Sequence, residues 1–181
     1  MNTLPHATAT QSRPTGPGLD MRLLGIYLND HLGGATAGTE RATRLARAAG
    51  ESALGRAIGP VAAEIAQDRA ALLDIMGDLG VPVRRYKVCA GWAGEKLGRL
   101  KPNGHLLRPS PLGIMLDLEA LRLGVEGKAA GWQLLRRLSA ADERLDPARL
   151  DTLLERALRQ QERIEQWRVR QAEEALATPV G

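Results

Sequence analysis

Apolar residues recur along this chain at alternating steps of three and four, the spacing of one helix face. The first such stripe reads Leu24, Leu28, His31, Ala35, Gly38, Ala42, Leu45, Ala49. Asp20 is a good N-cap for it and Gly50 a good stop. Its middle is small, which lets a neighbouring helix approach closely. A second stripe runs Val61, Ile65, Asp68, Leu72, Ile75, Leu79, opening near Ser52 and ending at Gly80 with Pro82 beyond. Pro60 is expected at its first turn or at a kink. A shorter helix over 84–101 carries Tyr86, Ala90, Ala93, Leu97, Leu100, and Lys101-Pro102-Asn103-Gly104 ends it. Ser110-Pro111 starts the next, with Ile114, Leu118, Leu121, Val125, Lys128, Trp132, Leu135 as its stripe. Asp146-Pro147 starts the last, with Leu150, Leu154, Ala157, Gln161, Ile164, Arg168.

No stretch keeps the alternation of a strand. The pattern predicts an all-α fold: an antiparallel four-helix bundle with an additional shorter helix, in one domain over 19–176. Residues 1–18 are rich in Pro, Gly, Thr and Ser and are expected to be a disordered tail, and 177–181 to fray.

Composition narrows this further. The chain has 181 residues, 44% hydrophobic and 25% charged, which excludes fibrous and fully disordered classes. No apolar run approaches the roughly 18 residues of a membrane span, so no membrane role is expected. The single cysteine, Cys89, cannot pair within the chain, and a reducing, cytoplasmic location is expected. The net charge is only +4, but Arg84, Arg85, Lys87, Lys96, Arg99, Lys101 and Arg108 stand against one acid, Glu95. That 84–108 segment is either a solvated face or a surface for nucleic acid or an acidic partner. Trp167 and the leucine-rich stripes suggest a homodimer or a protein partner.

The candidate chemistry lies where polar residues interrupt the stripes. His31, Asp68, Lys128 and Gln161 each occupy a mid-helix seam position, so they are expected to meet in one layer of the core. A buried charge must be paired and hydrogen-bonded. A polar network that fixes helix register explains such a layer without a ligand; a pocket or metal position between helices explains it with one. The residues for a metal are His31, Glu64, Asp68 and Glu119, holding iron or another divalent ion. A standard di-iron centre needs Glu-x-x-His pairs. Leu28, Pro102 and Thr3 precede the three histidines by three residues, so the motif is missing. No P-loop, nucleophile elbow or structural zinc set is present, and no catalytic residue or cofactor is assigned.

The runs Tyr27–Ala35, Glu64–Ala70, Gly94–Lys101, Ser110–Leu112 and Leu118–Lys128 together resemble a family of uncharacterised bacterial proteins expected to be ferritin-like bundles. The resemblance implies that fold over 20–176 and implies no activity. The function expected first is a non-enzymatic protein acting through binding or assembly. A metal-binding or oxidoreductase protein with a depleted carboxylate/His site is the alternative, and a nucleic-acid or acidic-partner module through 84–108 a third.

Overall fold

A computed structural model of the chain describes residues 18–84 and 110–177. The short helix expected over 84–101, most of the basic 84–108 segment, the tail before residue 18 and the stretch after 177 lie outside those residues. The described residues form four helices and no strand: α1 (Met21–Ala49), α2 (Ala53–Asp78), α3 (Pro111–Leu138) and α4 (Pro147–Leu176). None is long and apolar enough to cross a membrane.

The caps expected from the sequence set each start. The Asp20 carboxylate accepts from the backbone N–H groups of Arg22 and Leu23, both at 3.0 Å. The Ser52 and Ser110 hydroxyls accept from Gly55 and Gly113, each at 3.1 Å. Asp146 accepts from Ala148 and Arg149. Each satisfies N–H groups that the first turn leaves without partners. α2 closes in a Schellman turn: Gly80, at φ +69°, donates to Gly77 O, and Val81 donates to Met76 O. Pro60 is interior to α2 rather than in its first turn. It and Arg56 are exposed, so water can replace the helix bond that proline cannot make.

Packing gives the helices a ring order. α1 packs on α2 and on α3, and α4 packs on α3 and on α2. α1 and α4 face each other across one diagonal, α2 and α3 across the other. The chain between Asp78 and Ser110 therefore joins two helices that are not neighbours. Contacts match late residues of one helix with early residues of another. Arg41 and Arg44 of α1 meet Asp117 of α3. Asp74 of α2 meets Arg149 of α4 at 3.0 Å, and Arg136 of α3 meets Asp151 of α4 at 2.8 Å.

The core holds Leu28, Leu32, Ile58, Met76, Leu118, Leu121, Leu135, Leu150 and Ile164, all almost fully buried. The α2 stripe is buried as expected throughout. In α1, Leu32 rather than His31 enters the core at mid-helix, and His31 is half-buried beside it. α4 buries Leu150, Leu153, Ala157, Gln160 and Ile164, so the helix is turned by part of a residue from the expected stripe. Trp167, expected to be an exposed partner contact, instead packs half-buried on the core with the Arg170 guanidinium 5.0 Å from its ring centroid.

Candidate functional site

At mid-height the core contains a cluster of charged and amide groups from three helices. Asp68, on the buried face of α2, is 1% exposed. Lys128, on the core-facing side of α3 between Val125 and Trp132, extends its ammonium to Asp68 Oδ2 and to Gln160 Oε1. The Arg156 Nη2 of α4 pairs with the second oxygen, Asp68 Oδ1. Gln160, also 1% exposed, donates from Nε2 to Asp68 Oδ2 at 3.2 Å and to Glu64 Oε2 at 3.0 Å. Arg156 Nη1 also donates to Gln67 Oε1 at 3.2 Å.

Helix geometry explains the residue types. Glu64 and Asp68 are one turn apart on α2 and present their carboxylates on one side. α2 and α3 are diagonal partners, so only a long side chain bridges them. Lys128 does so with its four-carbon stem among apolar neighbours and its charge at the tip. Two carboxylates are set against an ammonium and a guanidinium, so the formal charges balance. Burial lowers the Lys128 pKa from its ordinary value, and the Asp68 carboxylate partly restores it by charge and hydrogen bond.

Of the four residues expected to converge, the structure brings two together, Asp68 and Lys128. Gln161 is half-buried and its amide makes no hydrogen bond within the described residues; Gln160 takes that place. His31 lies on the α3 side of α1. Its ring is 4.3 Å from that of Tyr27, centroid to centroid, at 49°. It lies over Gly131 of α3, where an added Cβ would stand 3.1 Å from ring atoms Cε1 and Nδ1. Arg156, which the stripes did not single out, completes the cluster. Its only signal in the sequence is a place one turn before Gln160.

Of the four residues expected for a metal, Glu64 and Asp68 stand side by side on the Gln160 amide, while His31 and Glu119 have other partners. Glu64 is engaged by Gln160, Asp68 by two cations, and Glu119 by Arg168 at 3.4 Å, while His31 is stacked elsewhere. Among the described residues no group of three or more His, Cys, Asp or Glu side chains is placed to hold a metal ion. The reason is electrostatic: each carboxylate already has a cationic or amide partner within hydrogen-bond reach. Two surface recesses lie away from the cluster, one along Thr39–Ala48 of α1 and one between the start of α1 and the end of α3.

His31 carries a pH prediction. Burial lowers its pKa below the ordinary 6.5, with Asp30 opposing. Between 6.5 and that lower folded value the unfolded chain binds more protons. Stability should therefore fall as pH drops through this window, and level off once the folded imidazole is also charged. Urea unfolding across the window should show this slope in the wild type and a smaller slope in His31→Gln. Equal slopes would mean that His31 is as accessible to protons in the fold as in the unfolded chain.

Comparison with known protein families, curated proteins and solved structures finds no match for this chain.

Proposed function

We propose that this chain is a ferritin-like bundle with antiparallel neighbouring helices, that it acts by binding or assembly rather than by catalysis, and that its mid-bundle ion cluster fixes helix register. The late-to-early contacts of α1 with α3, α2 with α4 and α3 with α4 support the antiparallel reading. The ring order, with one long connection between diagonal helices, supports the ferritin-like one. The observation that carries the functional reading is the engagement of Asp68 by Lys128, Arg156 and Gln160 together. The carboxylate is neutralised by two cations, its Oδ2 accepts from Lys128 and Gln160 while its Oδ1 faces Arg156 as an ion pair without a hydrogen bond, and its place in the fold is specified by three helices at once. The low cysteine content fits a cytoplasmic setting.

The test is metal content and turnover of the purified chain, with and without added ferrous ion, beside Asp68→Asn and Glu64→Gln. The expected result is no stoichiometric metal, and no oxidase or peroxidase rate that either substitution changes. Bound metal or turnover lost in both variants would overturn the reading.

A further inference from the structure

α3 is apolar on two opposite faces. Its inner face carries Leu118, Leu121, Val125, Ala129 and Trp132 into the core. Its outer face, half a turn away, reads Leu116, Ala120, Leu123, Gly127, Ala130, Leu134 in steps of four and three, with no charge among them. Leu123 is 63% exposed, and Gly127, Ala130 and Leu134 are exposed as well. The outer face of α4, by contrast, sets one exposed leucine, Leu158, among the charges of Asp151, Glu155, Arg159, Glu162 and Arg163. A helix apolar on both faces ordinarily has both covered.

The glycines on this helix make the same point independently. Gly124 and Gly127 are exposed in mid-helix, and a Cβ built on either meets nothing within 4 Å. Each costs about 1 kcal/mol of helix propensity against alanine. Nothing in the described fold requires their small size, whereas a second helix approaching that face would.

We infer that the outer face of α3 is the contact surface for a second copy of this chain, packed about a two-fold axis that passes midway between Leu123 and Gly127. The pattern is self-complementary. Laid antiparallel on itself, it sets Leu116 against Leu134, Ala120 against Ala130, and Leu123 into the gap at Gly127 of the second copy. That is the isologous pairing a two-fold axis demands. The stripe is about 27 Å long. Beyond Leu134 it continues into a recess lined by Leu19, Leu23, Leu24, Tyr27 and Leu138 together with Asp20. That is an extent suited to a standard interface of about 800 Å² a side.

The described anchors on either side of residues 85–109 both lie on the α1 side of the bundle. Arg84 is tied to α1 by its N–H to Asn29 Oδ1 at 2.7 Å. Gly25 and Thr36 share the Asn29 side of the helix, and Thr36 accepts from Arg69 of α2, so this is the α2 flank of α1. Ser110 heads α3, near the Arg41 and Arg44 end of α1. Residues 1–17 offer only Met1 and Leu4 as large apolar side chains.

The inference deepens the assembly reading and takes the bundle from it. Its test is separate from that of the core cluster, because a monomeric wild type would remove the interface and leave the metal and turnover result standing. The full chain is examined by sedimentation equilibrium beside Leu123→Arg and Gly127→Gln. The wild type should be dimeric, and each substitution should weaken the dimer by at least roughly 30-fold. Gly127→Gln should do so while raising the stability of the monomer, since it improves helix propensity at an open site. In a Cys89→Ser background, Ala120→Cys with Ala130→Cys should form an intermolecular disulfide. A wild type that stays monomeric, or a dimer unaffected by both substitutions, would overturn the proposal. So would a Leu123→Arg chain that unfolds rather than dissociates, which would assign the cover to residues of its own chain.

Discussion

Replacing Asp68 by alanine should destabilise the protein by about 2–4 kcal/mol. The substitution removes the one anion shared by Lys128 and Arg156 and leaves both cations in the core, with Gln160 deprived of an acceptor. Complete burial of the two cations would place the loss at the upper end or beyond. Their side chains retain 14% and 22% exposure, so water recovers part of it. Lys128→Met should cost less, because Arg156 still pairs with Asp68, Gln160 still donates to it, and the methionine stem fills much of the same space. Urea unfolding followed by circular dichroism distinguishes the cases. A loss below about 0.5 kcal/mol for Asp68→Ala would be the signature of a solvated surface carboxylate.

The second large effect belongs to Gly55, in the first turn of α2. A Cβ there would stand 1.9 Å from the carbonyl oxygen of Gly50 and 2.9 Å from its carbon. These are backbone atoms in the tight link between α1 and α2, and Gly50 itself adopts φ +52°, a left-handed value that few other residues tolerate. No side chain can swing aside, so the link must move. Gly55→Ala should cost about 3 kcal/mol and lower Tm by roughly 10 °C. Gly77→Ala is the control. It lies on the same helix, exposed, with no proline beside it and nothing within 4 Å of the new methyl, so it should stabilise by up to about 1 kcal/mol. Equal effects at the two positions would mean that the link opens at little cost.

Helix starts were legible because their signals are local. Asp20, Ser52, Ser110 and Asp146 each act on N–H groups two or three residues ahead, so no tertiary information is needed. The α2 stripe was legible for a similar reason, since six consecutive seam residues leave one face to bury. The α4 stripe was not. Series running 150, 153, 157, 160, 164 and 150, 154, 157, 161, 164 share three positions and differ only within Leu153-Leu154 and Gln160-Gln161. Each doublet offers the same side chain to either face, so periodicity cannot choose Gln160 over Gln161. Packing of α4 against both α2 and α3 decides it, by bringing Gln160 within reach of Glu64 and Asp68.

His31 and Arg156 escaped for opposite reasons. His31 adjoins Leu32, and the larger apolar side chain takes the core position while the imidazole turns toward Tyr27 and Gly131. Arg156 is outside the strict stripe, and its long side chain reaches Asp68 from the edge of the core. Residue spacing reports where a Cβ points and not how far the charged tip extends. The ring order was also beyond reach, because it depends on which helices meet in space. That order makes Lys128 and Asp68 partners across a diagonal rather than between neighbours.

The claim on which the rest stands is that Asp68 and Lys128 act as one buried unit specifying how the helices align. A double-mutant cycle with Asp68→Leu, Lys128→Met and the combined variant measures it directly. The predicted coupling is more than about 1.5 kcal/mol, with the combined variant more stable than Asp68→Leu alone, because the second change removes a cation the first has stranded. Additivity within about 0.5 kcal/mol would contradict it.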